Sequence, residues 1–431
     1  MKRRDFLFGV VGAGTLSTAV PRQVRGAGPR QELPRIQEYR RLGRTGFEAS
    51  DIGSGSPMEE GILNALLMQG VNYIDTAESY NNGASERLVG RVIKGFDRKE
   101  FFITTKFALR EGENRERMKD RALRCLERLD TEYMDCLMIH AASAREDVKN
   151  EAFHQVAEEL KQEGKLRYVG VSCHGTSWYN EPKDSMEDVL GTAAEDGRFD
   201  VMLLAYNYLQ KNGGERVLRT CREKNIGTTL MKTDPFGTGA FTYFNDIYTE
   251  REKEGQPAPE WIKILREKYA RQREEAGPFL EAHNLTTPDQ IRDAAIRFVL
   301  DNQDVHSALI SFKTYDEVEA YLRLSGSRLT EADEQVLAAQ AETDGQLYCR
   351  HACAVCEPKC PHQVPVNTIM RYNHYYVAQG REKRALELYG KLEGPKADLC
   401  EGCDGPCQAA CPFSIPIHDL LKFAHSNLTL A

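Results

Sequence analysis

From about residue 38 to residue 325 the chain alternates short β-branched or apolar runs with stretches of helical period, and this rhythm restricts the fold more than any other feature of its 431 residues. Strands are expected at Val71–Ile74, Phe101–Thr105, Asp135–Ile139, Tyr168–Ser172, Val201–Ala205, Gly227–Met231 and Ser307–Ser311, with Ala49–Ile52 the weakest of the set. Helical patterns fall between them at Met58–Gln69, Arg115–Leu129, Glu151–Gln162 and Ile291–Leu300, and Gly70, Gly164 and Asn302 stand where a left-handed C-terminal residue would end a helix. Eight such units, without a strand-order switch or an early glycine-rich crossover, imply an α/β chain closed into a (β/α)8 TIM barrel. Apolar residues at 41% and charged residues at 28% fit an ordinary globular protein. A net charge of −8 with no long basic run argues against nucleic acid as a partner.

Two segments stand outside the rhythm. Lys2-Arg3-Arg4-Asp5-Phe6-Leu7 leads into an uncharged stretch up to Val20, too short and too rich in glycine and hydroxyl residues to span a membrane. It is similar to a bacterial twin-arginine signal, which implies export to the periplasm or cell envelope, with residues 1–34 as signal and linker and no stable membrane span beyond it. A disordered basic tail or an uncleaved anchor is the other reading. Gly9-Val-Val-Gly12-Ala-Gly14 imitates a dinucleotide-binding turn but has no strand before it. The second segment, Tyr243 to Asn284, is charged and helix-prone at Trp261–Gln272; it reads as a substrate lid or as a surface insertion.

Strand ends carry the chemistry. Asp75 closes the second barrel strand, Tyr80 lies five positions on, Lys106 closes the third strand and His140 the fourth. Each residue alone has a plain structural explanation, as turn former, packing ring or satisfied histidine. Together they place four polar groups at one barrel mouth, the end where ligands bind.

These four residues resemble the Asp-Tyr-Lys-His tetrad of the aldo/keto reductase superfamily. The similarity runs from about 39 to 325 through Tyr39-Arg-Arg-Leu-Gly-Arg-Thr-Gly46, Tyr80-Asn-Asn-Gly-Ala-Ser-Glu86, Gly170-Val-Ser172, Tyr206-Asn207 and Lys232-Thr-Asp-Pro-Phe-Gly237. It implies hydride exchange between a nicotinamide, NADP(H), and a small carbonyl or alcohol substrate. Tyr80 would give the proton, Lys106 would lower its pKa, Asp75 would hold Lys106, and His140 would orient the carbonyl. Ser172, Asn207 and Lys232 would hold the cofactor, with its phosphates near Lys313 and Thr314 at a helix start. Two positions depart from the pattern: Leu203 replaces a common glutamine, and the first βα loop is only Gly53-Ser-Gly-Ser-Pro57.

With the barrel taken as 35–340, residues 341–431 hold eight of the twelve cysteines. Cys349-x3-Cys353-x2-Cys356-x3-Cys360-Pro is echoed by Cys400-x2-Cys403-x3-Cys407-x3-Cys411-Pro, and the ten residues after each run echo as well, so the segment is an internal duplication. The runs resemble those of ferredoxins, which implies a small, mainly α-helical ferredoxin-like domain with two [4Fe–4S] clusters, the last cysteine of a run serving the other cluster in some arrangements. Four disulfides or two zinc sites are other readings of the same residues. An electron-transfer partner is then expected. The whole reads as an aldo/keto reductase-like oxidoreductase with a redox domain, or, in a contrasting class, as a non-enzymatic electron carrier or redox sensor that uses the barrel as scaffold.

Overall fold

A computed structural model describes residues 33–174, 184–235, 288–342, 345, 348–351, 353–377 and 381–429. The twin-arginine segment and the 243–284 insertion lie outside these residues. Pro34–Ala431 form one compact unit.

The chain first makes an antiparallel hairpin, β1 (Tyr39–Arg41) with β2 (Glu48–Ser50), in which Tyr39 faces Ser50. Eight parallel strands follow and close on themselves: β3 (Ile52–Gly55), β4 (Tyr73–Asp75), β5 (Phe102–Phe107), β6 (Met134–Ile139), β7 (Leu166–Cys173), β8 (Val201–Ala205), β9 (Gly227–Met231) and β10 (Ser307–Ile310). Closure is made by β10, which pairs with β9 on one side and with β3 on the other, Ile310 opposite Ser54. The weakest expected strand, Ala49–Ile52, is two elements: residues 48–50 belong to the hairpin and the first barrel strand begins at Ile52. Most of the supposed first loop, residues 53–55, is therefore strand. Bulky side chains did not mark it because Gly53, Ser54 and Gly55 pack where larger residues would collide; a Cβ on Gly53 would press on Leu309.

The helices α1 (Glu60–Met68), α2 (Ala84–Ile93), α3 (Arg115–Leu129), α4 (Glu151–Gln162), α5 (Met186–Asp196), α6 (Asn212–Glu223), α7 (Pro288–Asp301) and α8 (Tyr315–Leu322) surround the barrel. In α3 the buried residues Met118, Ala122, Cys125, Leu126 and Leu129 recur at helical spacing, and Asn114 caps its start by accepting from the Arg117 amide at 3.0 Å. Gly70 and Gly164 take the expected left-handed conformation, but Asn302 does not; its side chain instead accepts from the Asp304 amide at 2.9 Å.

The hairpin plugs one end of the barrel. Leu42 and Ala49 join Tyr73, Phe102, Met138 and Leu203 in one buried cluster, the Arg44 amide donates to the Asn225 carbonyl at 2.7 Å, and Tyr168 Oη donates to the Thr45 carbonyl at 2.8 Å. Leu203, at the common glutamine position, thus belongs to the apolar interior. Only the opposite end, at the strand C-termini, is left for a ligand.

After α9 (Glu331–Glu342), which packs on α7, the tail folds as two copies of one motif. In the first, the Gln363 amide bonds the Cys360 carbonyl at 3.2 Å, Val366 bonds Val364, and α10 (Val366–Val377) begins; in the second, Ser414 bonds Cys411 at 3.2 Å, Ile417 bonds Ile415, and α13 (Ile417–Leu428) begins. Gln363 and Ser414 share a left-handed conformation at φ 54° and 55°. Between the copies lie α11 (Glu382–Lys391) and the short α12 (Pro406–Ala409). Ile369, Met370, Tyr389, Leu420, Leu421 and Ala424 form a separate core for the tail. No helix among the described residues is long and apolar enough to cross a membrane.

Gly43 tests the plug. It sits in the hairpin turn at φ 49°, and a Cβ there would run into the backbone of Ile226 and Gly227. Gly43→Ala should cost about 2–4 kcal/mol in chemical denaturation, since it combines backbone strain with an overpacked contact. An unchanged unfolding midpoint would show that the hairpin does not seal the barrel floor.

Candidate active site

Parallel register brings the four strand-end residues together. Asp75 ends β4, Lys106 lies on the neighbouring β5, and His140 follows β6; Asp75 pairs with Thr104 and Lys106 with Met138. Tyr80 comes from the loop before α2, where Asn81, Asn82 and Gly83 are left-handed in succession and turn the chain into the helix. Asparagine and glycine tolerate that conformation best. The Glu78 amide bonds the Lys106 carbonyl at 3.0 Å, and its carboxylate is gripped by Arg121 at 2.7 Å, so the loop is tied to the barrel on both sides of its bend.

Lys106 is fully buried. Its ammonium meets both Asp75 oxygens and the Thr76 carbonyl, each at 2.7 Å, and lies 4.9 Å from the centre of the Tyr80 ring. Burial alone would depress the ammonium's pKa, but Asp75 and then Tyr80 reverse this and raise it, so Lys106 keeps its charge. The Tyr80 phenol is hydrogen-bonded by Ser56 and Lys106. Its pKa is nevertheless raised, because loss of water outweighs the pull of Lys106. This corrects the expectation of a lowered phenol: Lys106 acts in the expected sense, but burial is stronger. His140 stands edge-on to Tyr80 with ring centres 5.6 Å apart, and burial followed by the Lys106 charge holds its pKa well below the usual histidine range. It is a neutral imidazole beside a protonated phenol.

Ser56 was missed at the sequence level because the strand before it was not recognised. His174 was missed too, although it directly follows β7; its ring centre is 6.0 Å from that of His140.

The expected cofactor residues line the same mouth but are already engaged. Ser172 Oγ accepts from the Ala141 amide at 2.9 Å. Asn207 donates to the Lys232 carbonyl at 2.9 Å and accepts from the Leu209 and Gln210 amides, each at 3.0 Å, which leaves one amide hydrogen toward a ligand. Lys232 extends to His174 Nδ1 at 2.9 Å and to His351 Nδ1 at 3.4 Å. Thr314 caps α8 in a capping box with Glu317, whose carboxylate also accepts from the Lys313 amide at 2.5 Å. The positions therefore fit the ring half of a dinucleotide, whereas at the helix start a phosphate would have to displace Glu317 from the amides it bonds.

The aldo/keto reductase family description matches residues 56–340. The chain belongs to the aldo/keto reductase family. Relatives include L-galactose dehydrogenase of Arabidopsis thaliana, 26% identical over 65% of this chain and 86% of that one. An aldo-keto reductase of Bacillus subtilis is 29% identical over 45% of this chain and 61% of its own length, and the NADH-specific methylglyoxal reductase of Escherichia coli is 25% identical over 63% and 84%. Among solved structures, the holo form of an aldo-keto reductase from Bacillus halodurans covers 70% of this chain and 95% of its own, at 20% identity and a TM-score of 0.49. Family membership reaches the barrel and stops short of the cysteine runs.

None of the twelve cysteines is joined to another by a disulfide in the structure. Among the described residues no three His, Cys, Asp or Glu side chains are gathered tightly enough for a single metal ion. Burial raises the tail thiols Cys349, to about 12, Cys353 and Cys356; Cys411 adds to the rise in all three, and Cys407 adds more than Cys411 does at Cys356. Burial likewise raises Cys400, to about 12, and Cys407, with Cys360 and Cys403 adding to both.

His140 and His174 give the site a pH signature. Both are buried, and their pKa values are held well below the usual 6.5, so below that pH the unfolded chain binds protons that the folded one refuses. Stability should fall as pH drops from about 6.5, by up to about 1.4 kcal/mol per pH unit for each histidine, in urea unfolding between pH 7.5 and 5.5. The His140→Asn, His174→Asn double variant should flatten this slope; an equal slope in both proteins would refute the assignment.

Proposed function

We propose that this chain interconverts a small carbonyl compound and its alcohol by hydride transfer, with Tyr80 as proton donor. The observation that carries this reading is the buried Lys106 ammonium, held by Asp75 and Thr76, against a neutral His140 and a protonated Tyr80. A reduced nicotinamide, NADPH or NADH, would supply the hydride when bound. Asn207 and Ser172 would hold its ring.

The protein's own groups do the rest. His140, uncharged, donates a hydrogen bond to the substrate oxygen and fixes its direction without a competing charge. As the carbonyl carbon takes the hydride, the oxygen takes the Tyr80 proton, and the phenolate left behind is stabilised by Lys106 until solvent returns the proton. The raised pKa of Tyr80 keeps it protonated at neutral pH, which favours reduction over oxidation. The names of two relatives, L-galactose dehydrogenase and methylglyoxal reductase, support small polar carbonyl compounds as substrates.

We propose further that the tail binds two [4Fe–4S] clusters, one on Cys349, Cys353, Cys356 and Cys411, the other on Cys400, Cys403, Cys407 and Cys360. The reading is supported by these thiols' effects on one another and by the repeated turn after Cys360 and Cys411. Thiols raised by burial and by one another lose their protons when iron binds. The clusters would pass single electrons to or from a partner. Lys2-Arg3-Arg4-Asp5-Phe6-Leu7 supports export of the folded protein by the twin-arginine route.

Tyr80→Phe should lower kcat for carbonyl reduction by about 10²–10⁴-fold in steady-state assays while thermal stability stays near wild type. Retention of full turnover would sink the proton-donor role. Anaerobically purified protein should hold about eight iron and eight acid-labile sulfide per chain, and Cys353→Ser or Cys403→Ser should each remove about half; stoichiometric zinc without sulfide would refute the cluster reading.

A further inference from the structure

The tail meets the barrel through a loop that carries Arg350 and His351. Gln210 donates to the His351 carbonyl and accepts from its amide, both at 2.8 Å, and Arg350 Nε donates to the Leu209 carbonyl at 3.2 Å. This seats the His351 ring against Lys232, itself 2.9 Å from His174, whose ring stands next to that of His140. Arg371, on α10, is 5% exposed; it donates to Tyr348 Oη at 3.3 Å and to the Cys349 carbonyl at 3.4 Å, and its Nε has no hydrogen-bond partner among the described residues. Among those residues neither Lys232 nor Arg371 meets a carboxylate.

Cationic side chains withdrawn from water without a counter-charge cost several kcal/mol each, and proteins rarely gather them unless an anion completes the set. Here burial, and then the Arg371 charge, hold Lys232 well below the usual lysine range. Thiolate charge near Cys349 would offset Arg371. Lys232 meets His174 and His351 and no carboxylate among the described residues, and its His174 partner stands beside His140.

We propose that Lys232, with His174 from the barrel and His351 and Arg371 from the tail, forms an oxyanion subsite that selects carbonyl substrates bearing a carboxylate a few bonds from the reacting carbon. The proposal rests on the carbonyl-reductase reading and reassigns Lys232 from cofactor to substrate. The tail becomes part of the specificity pocket, so substrate choice is set jointly by the two halves of the chain. A lysine and an arginine are suited to this task, the first as a compact charge and the second as a planar donor fork.

The test is equilibrium binding to the full-length protein, so it needs no turnover. Acetate and acetamide share a shape and differ in charge. At constant ionic strength acetate should raise the thermal midpoint and saturate, and acetamide should do neither. Lys232→Met should weaken acetate by about tenfold or more, and Lys232→Arg should recover most of that loss. Equal shifts by acetate and acetamide, or wild-type acetate affinity in Lys232→Met, would overturn the subsite. Loss of NADP+ binding in Lys232→Met with acetate affinity intact would overturn the assignment to substrate and give the cation to the cofactor's phosphate. A failure of the reductase reading would appear elsewhere, as turnover indifferent to Tyr80→Phe.

Discussion

One ion pair organises the mouth of the barrel. An ammonium with no exposed surface, such as that of Lys106, is tolerable only if its partners are fixed before it arrives. Asp75 supplies both oxygens and Thr76 a carbonyl, and all three are set by adjacent parallel strands whose register cannot slip once the barrel has closed. The same charge acts outward on Tyr80 and His140, favouring phenolate on one and the neutral ring on the other. A group that merely braced the fold would not need two titratable neighbours within its reach. The pair also explains why the phenol can serve as an acid at all. Burial keeps the proton on, and the nearby cation makes its departure affordable when charge develops on the substrate.

The two ends of the barrel are closed by different means. The hairpin seals the floor with Leu42 and Ala49 inside an apolar cluster, a contact that is permanent because nothing polar is stored there. Over the mouth, the tail is attached by hydrogen bonds from the side chains of Gln210 and Arg350 to backbone groups across the contact, and by the Lys232–His351 contact, after β8 and β9. Tyr348 adds an apolar anchor, packing with Tyr208, Val336 and Leu337 on the α7 side. Polar contacts of this kind link tail residues to the catalytic group through two side chains, Lys232 and His174.

Much of this was legible in the sequence. The β/α alternation gave the barrel, and the tetrad was found because strand ends converge on one rim. What escaped has physical reasons. The first barrel strand, Ile52–Gly55, carries small residues where the strands press together, so hydrophobic alternation was absent and Ser56 went unnoticed with it. Thr314 was expected at a phosphate site because helix starts attract anions; in the structure its helix start carries a capping box with Glu317. Local patterns likewise gave no hint that His351 belongs with Lys232, a contact 119 positions apart that only the packing of the tail creates. The balance at Tyr80 was misjudged for a related reason, since the charge of Lys106 is visible in sequence and the depth of burial is not.

The cysteine spacing itself records the docking. The two tail repeats agree in their turns, in the left-handed residues Gln363 and Ser414, and in the helices that follow. They differ in the place of the second cysteine: the gaps run three, two and three residues from Cys349 to Cys360, but two, three and three from Cys400 to Cys411, so the two runs span the same length. The first gap of the first run holds Arg350 and His351, the residues that reach Leu209, Gln210 and Lys232. In the second run that gap holds Glu401 and Gly402, and the Glu401 amide donates to the Asp398 carbonyl within the tail. Displacing one cysteine by a single position, with the outer two equally far apart in both runs, thus gives the first copy room to present an imidazole to the barrel, a contact that the second copy does not make among the described residues.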